Sequence, residues 1–136
     1  MRDAMVREPL ALEASASARE AGERLSDPDV RAVLVCDGGR LVGVVTRKTL
    51  VREVVARGRD PERTPLHEIA EPPRYTLAAD TDLEVAFHEL EARDLERVPV
   101  TDADGRLVGV LSRAVVQRRL AEDEPPAEDD ESLSAA

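Results

Sequence analysis

Gly39-Arg40-Leu41-Val42-Gly43-Val44-Val45 returns 66 residues later as Gly105-Arg106-Leu107-Val108-Gly109-Val110-Leu111. Each copy is followed by a hydroxyl residue and an arginine, Thr46-Arg47 and Ser112-Arg113. Upstream the match continues without a gap at an offset of 65. Leu12 falls on Leu77, Ala21 on Ala86, Leu25 on Leu90, Val33 on Val98, Val35 on Val100 and Asp37 on Asp102. The extra residue of the second copy lies in its turn, Asp102-Ala103-Asp104-Gly105 against Asp37-Gly38-Gly39, where insertions are tolerated. Two copies of about 65 residues indicate a duplicated unit and not a solenoid.

Each copy reads as βαββα. A short extended piece opens it, Leu10–Leu12 and Tyr75–Leu77. A helix follows, with cap candidates Ser15 and Asp80. Its apolar face is Ala14, Ala18, Ala21 and Leu25 in one copy and Leu83, Ala86, Phe87 and Leu90 in the other. A hairpin comes next, Ala32–Cys36 with Leu41–Val45, and Arg97–Thr101 with Leu107–Leu111. A second helix closes each copy, with Leu50, Val51, Val54 and Val55 facing inward before a stop at Gly58, and Val115, Val116 and Leu120 in the later copy.

The expected fold is therefore α+β, two βαββα repeats packed with pseudo-two-fold symmetry through their sheets, because a single unit of this size is marginal alone. The boundaries are residues 1–58 for the first repeat, 59–65 for a polar linker with Pro61 and Pro65, and 66–121 for the second repeat. Residues 122–136 hold seven Asp and Glu and no Lys or Arg, much of the chain's net charge of −10. That tail is expected to be disordered, with too little apolar surface to offset its ordering entropy.

Composition narrows the function classes. No apolar run reaches the length of a membrane span and no signal-like core follows Met1, so a soluble cytoplasmic chain is expected. The single cysteine, Cys36, cannot form an internal disulfide and sits in an apolar run, which points to a buried strand position. An acidic chain with one Tyr, one Phe and no Trp offers little to nucleic acid. His67 and His88 fall at unrelated places in the repeat, and no nucleophile–base pair, metal-ligand spacing or phosphate loop is visible. A self-contained enzyme is not expected, nor a metal site.

Two copies in full register, each with a V-x-D-turn-R-L-V-G-V-hydrophobic-Thr/Ser-Arg hairpin, resemble a tandem cystathionine-β-synthase (CBS) domain pair, also called a Bateman module. Val98-Pro99-Val100 is similar to the family's h-P-V strand, and Arg2-Asp3-Ala4-Met5 to its lead-in; His67-Glu68-Ile69-Ala70 matches the lead-in less well. The resemblance covers about residues 1–121.

The resemblance implies a stand-alone regulatory module. Such pairs take AMP, ADP, ATP or S-adenosylmethionine in clefts between the repeats, often as homodimers, and act on an effector protein that the sequence does not name. The family motif, Gly-hydrophobic-x-Thr/Ser-x-x-Asp, falls on Gly43–Thr49 and on Gly109–Val115. Its hydroxyl residues are present as Thr46 and Ser112. Its ribose-binding Asp is absent, replaced by Thr49 and Val115. Arg47 and Lys48 stand in a first helical turn, where cations oppose the dipole and an anion would relieve them, or where they are simply solvated; Arg113 is the basic candidate of the second copy. Thr46 and Ser112 read equally as phosphate ligands and as helix caps. The adenine would lie near Leu10, Ala11 and Leu34 in one copy, and near Tyr75, Thr76 and Pro99 in the other; ordinary strand core is the competing reading. The Thr46 cleft ranks above the Ser112 cleft, since Thr49 retains one hydrogen-bonding group and Val115 none. The second reading overall is a ligand-free dimerisation or interaction scaffold, which the two lost carboxylates favour.

Overall fold

The computed structural model describes residues 5–6 and 11–122. Leu10 and the acidic tail beyond Glu122 lie outside the described residues.

The first repeat contains β2 (Ala11–Glu13), α1 (Ala18–Leu25), β3 (Ala32–Asp37), β4 (Arg40–Thr46) and α2 (Arg47–Leu50), which runs on as a π-helical turn over Val51–Val55. The second contains β5 (Leu77–Ala78), α3 (Leu83–Ala92), β6 (Arg97–Thr101), β7 (Leu107–Ser112) and α4 (Arg113–Glu122). A short strand, β1 (Met5–Val6), precedes them, and 3₁₀ turns at Pro61–Arg63 and Leu66–Glu68 join them.

The hairpins form where the repeat places them. Gly38 and Gly39 have φ of 59° and 90°, the paired positive values of a tight turn whose twist suits the strands it joins. β2 pairs parallel to β3 and β5 parallel to β6, each across a helix. Strand alternation then divides each sheet. Val33, Val35 and Val45 join Ala18, Ala21, Leu25 and Val54 in one core; Val98, Val100 and Leu111 join Ala86, Leu90 and Val116 in the other. Cys36 is buried on its strand, as its apolar surroundings predict.

The repeats meet through their sheets. Leu41 N–H donates to the Gly105 carbonyl at 3.1 Å, and Leu107 N–H to that of Gly39 at 2.9 Å, so Arg40 and Arg106 pair at matched positions of the two turns. The lead-ins are exchanged as well. β1 pairs with β7, Val6 opposite Val110, while Glu71 of the second lead-in pairs with Val44 of β4 through bonds of 2.7 and 2.9 Å. These two crossings are related by the same internal symmetry. Gly43 makes the second one possible: a Cβ there would lie 2.7 Å from Ala70 Cβ.

Three local expectations are corrected. The N-cap positions are Ser17 and Asp82, not Ser15 and Asp80, and only Ser17 caps its helix through its side chain. The sheet still holds the chain after β2 and β5, with Ala14 N–H donating to Cys36 O and Ala79 N–H to Thr101 O, so each helix starts after a further turn. Ser17 accepts from Glu20 N–H at 3.2 Å, and Ala18 N–H reaches the Thr64 carbonyl at 2.8 Å. On α2, Leu50 and Val54 pack inward, but Val51 and Val55 are 58% and 71% exposed. Thr49, Leu50 and Val54 set the inward stripe, and Val51 and Val55 each follow one residue, about 100°, further round the helix, on its open side. The opening strands also sit one or two residues later than expected.

Candidate functional site

Pairing register assembles the candidate residues into two matched rows. Ala11 stands opposite Leu34, Leu34 opposite Val44, and Val44 opposite Glu71. In the second repeat Pro99 stands opposite Val110, and Val110 opposite Val6; Thr76 precedes Leu77, the partner of Val100. Leu34 and Val44 alternate with Val33 and Val45, so this row lies on the sheet face turned away from α1 and α2. Thr46 is two residues along the same strand from Val44 and closes that face.

Thr46 is the N-cap of α2, with Thr49 completing a capping box. Thr46 Oγ1 accepts from Thr49 N–H at 3.2 Å, and Thr49 Oγ1 accepts from Thr46 N–H at 3.1 Å. The cap reading of Thr46 therefore describes its contacts here. Thr49 is fully buried, and its hydroxyl also reaches Glu71 Oε2 at 3.4 Å. The other oxygen of Glu71 pairs with Arg52, which binds Glu53 as well. The bond to Glu53 and then those to Glu71 raise the Arg52 guanidinium above its ordinary value.

Glu71 and Arg52 were not singled out by the sequence. Glu71 belongs to the lead-in of the other repeat and comes to Thr49 only through the backbone pairing with Val44. Its signal is indirect: it lies 65 residues after Val6, and Pro72 and Pro73, which have no N–H to donate, confine the pairing to Glu71.

The remaining candidates are less convergent. Arg47 donates to the Asp27 carbonyl at 2.8 Å, and Lys48 is exposed. Arg113, at the position matching Arg47, pairs with Glu96 and lies 3.7 Å from Asp94. Both arginines thus reach the loop before the hairpin of their own repeat. Ser112 ends β7 half-buried, with Val115 where Thr49 completes the box in the first copy. Tyr75 packs beside the second core, donates to Glu89 Oε1 at 3.0 Å and carries the Arg93 guanidinium 3.9 Å above its ring. Burial, then the bond to Glu89, push its phenol up. Thr76 is exposed and Pro99 half-buried. Among the described residues no group of three or more His, Cys, Asp or Glu could hold a metal ion, and no helix is long and apolar enough to cross a membrane.

The CBS domain family model matches residues 1–56 and 66–122. Hypoxic response protein 1 of Mycobacterium tuberculosis is 30% identical over 103 residues, 75% of this chain and 71% of that protein. Among solved structures, CBSX2 in complex with AMP is 28% identical with a TM-score of 0.67, covering 89% of this chain and 95% of the other. The cytosolic domain of the Mg²⁺ channel MgtE in complex with ATP is 29% identical with a TM-score of 0.64, covering 84% of this chain and 46% of the other. With two repeats in register, one fold in each and a family match to both, the chain belongs to the CBS domain family as a tandem pair.

Proposed function

We infer that this chain is a regulatory module that takes an adenosyl ligand, of the AMP, ADP, ATP or S-adenosylmethionine class, in the cleft beside Thr46 and responds through a homodimer. One observation carries the choice of cleft. The motif carboxylate is missing at Thr49, but Glu71 brings a carboxylate to within 3.4 Å of the Thr49 hydroxyl from the other repeat. A carboxylate accepting sugar hydroxyls makes charge-assisted bonds, roughly twice as strong as neutral ones. The second cleft has valine at both matching places, Val115 and Val6.

The relatives solved with AMP and ATP support the ligand class. The row Ala11, Leu34 and Val44 supplies an apolar floor suited to a base, and Thr46 stands at the phosphate end of the motif. Thr46 belongs to the first repeat and Glu71 to the lead-in of the second, so a ligand that engages both bridges the repeats and favours the arrangement that brings them together. That preference is what a population shift requires. Chemistry on the ligand is not part of this reading.

Isothermal titration calorimetry with each ligand compares the clefts. Thr46→Ala is expected to weaken binding more than Ser112→Ala. Equal loss in both variants contradicts the assignment to the first cleft.

A further inference from the structure

The two clefts carry opposite charges at matched positions. Val98, Val100 and Leu111 enter the second core, so Arg97, Pro99, Val110 and Ser112 lie on the other face of that sheet. Arg97 stands opposite Ser112, and Pro99 opposite Val110. In the first repeat Ala32 stands opposite Thr46, and Leu34 opposite Val44. The second cleft therefore has a guanidinium beside its motif hydroxyl where the first has a methyl group. At the far end of the row the exchange is reversed: the first ends on Glu71, opposite Val44, and the second on Val6, opposite Val110.

Arg118 adds a second cation. It matches Arg52, which Glu53 and Glu71 neutralise. The residues matching those two acids are Arg119 and Val6. Arg113 is paired with Glu96 and lies near Asp94, whereas Arg97 and Arg118 make no ion pair among the described residues. Residues 105–121 hold four Arg and no Asp or Glu, in a chain whose net charge is −10. A shallow groove of about 160 Å³ runs along one side of α4, lined by Val115, Arg118, Arg119 and Glu122. It begins one turn from Ser112 and ends at Glu122, where the acidic tail departs.

We propose that the second cleft is a site for an acidic peptide, and that its occupant is the chain's own tail, residues 123–136, folded back along α4. Residues 123–131 carry six Asp and Glu and no Lys or Arg, to meet Arg118 and Arg97. Leu133 follows them, an apolar side chain for Pro99 and Val110. Reach is sufficient. The ten residues of α4 are about 15 Å long. The nine residues from Glu122 to Glu131 can span up to about 30 Å, enough to turn and return to Arg97. Tethering sets an effective concentration on the order of millimolar, so contacts too weak to hold a free peptide suffice. A tail seated there closes the second cleft and leaves the Thr46 cleft open. The inference concerns the other cleft from the adenosyl reading, so a failure to bind nucleotide leaves it intact.

A nitroxide on the tail of the full chain, at Ser132→Cys in a Cys36→Ala background, reads the contact by nuclear magnetic resonance. The tether alone broadens the end of α4, so the reading is taken at its start. The amides of Arg97 and Ser112 are expected to broaden, and those of the matching Ala32 and Thr46 are not. Equal broadening at the two pairs, or none at Arg97 and Ser112, overturns the proposal. Arg97→Gln with Arg118→Gln, both at exposed positions, is expected to abolish the effect, and its persistence overturns the proposal. Mixing labelled chain with unlabelled, isotope-enriched chain is expected to give no broadening; broadening there places the contact between chains and overturns the assignment to the chain's own tail. In the otherwise native chain, neutralising the run with E128Q, D129N, D130N and E131Q should shift the Arg97 and Ser112 amides. Unmoved amides in that variant also overturn the proposal.

Discussion

The hydroxyl of Thr49 lies 3.4 Å from Glu71 Oε2, although 22 residues and a repeat boundary separate them. Thr49 closes the cap of α2, and Glu71 is held by backbone bonds to Val44. One contact therefore joins the helix start of the first repeat to the lead-in of the second. This pair should separate binding from stability. Glu71→Gln removes a charge whose pairing with Arg52 is half-exposed, so unfolding free energy should change by less than about 1 kcal/mol. Ligand affinity in calorimetry should fall about tenfold or more, since a charge-assisted bond contributes roughly 1.5–3 kcal/mol. Unchanged affinity would remove Glu71 from the site.

Thr49→Val should behave in the opposite way. Valine occupies the matching place, Val115, so the backbone tolerates it. The variant leaves Thr46 N–H without its acceptor and should cost about 1–2 kcal/mol in urea unfolding. A loss below about 0.3 kcal/mol would mean that the capping box contributes little to holding α2.

Gly43→Ala tests the exchange of lead-ins. The new Cβ would lie 2.7 Å from Ala70 Cβ and 3.1 Å from the Glu71 carbonyl, so β4 and the lead-in must part. The expected cost is about 1–3 kcal/mol. Gly22→Ala, in a helix with only a 3.8 Å neighbour, should instead gain about 0.5–1 kcal/mol. Equal midpoints for the two variants would contradict the close approach at Gly43.

Burial, and then the nearby Glu13 carboxylate, push the Cys36 thiol up. The unfolded chain releases that proton first. The thiol's contribution to stability is thus complete below the unfolded value of about 8.5 and declines as pH rises from there toward the folded value. Relative to Cys36→Ala, wild type should lose stability as the pH rises above about 8.5. A constant difference across that range would contradict the burial effect.

The parts of the fold with a repeating pattern were legible in the sequence. Val33, Val35 and Val45 alternate as strand residues must, and Ala18, Ala21 and Leu25 keep helical spacing. The lead-in exchange was not legible, because β1 has two residues and Glu71 pairs alone, too short for any periodicity to register. The exposure of Val51 and Val55 was hidden because apolar residues at 50, 51, 54 and 55 span a wider arc than the core covers, and the pattern does not say which edge is left out. Thr46, Ala11 and Leu34 entered the candidate site from the family motif and the strands. Glu71 was missed because its approach to Thr49 depends on tertiary pairing and not on any local pattern.

Thermal unfolding of the wild-type chain with AMP, ADP, ATP, S-adenosylmethionine or NAD(H) tests the central claim most directly. A ligand present at about 100 times its Kd should stabilise the fold by roughly 2.7 kcal/mol and raise the melting temperature accordingly. At least one adenosyl ligand is expected to do so. An unshifted melting temperature with every one of them at millimolar concentration would contradict an adenosyl site and leave the chain a ligand-free interaction scaffold.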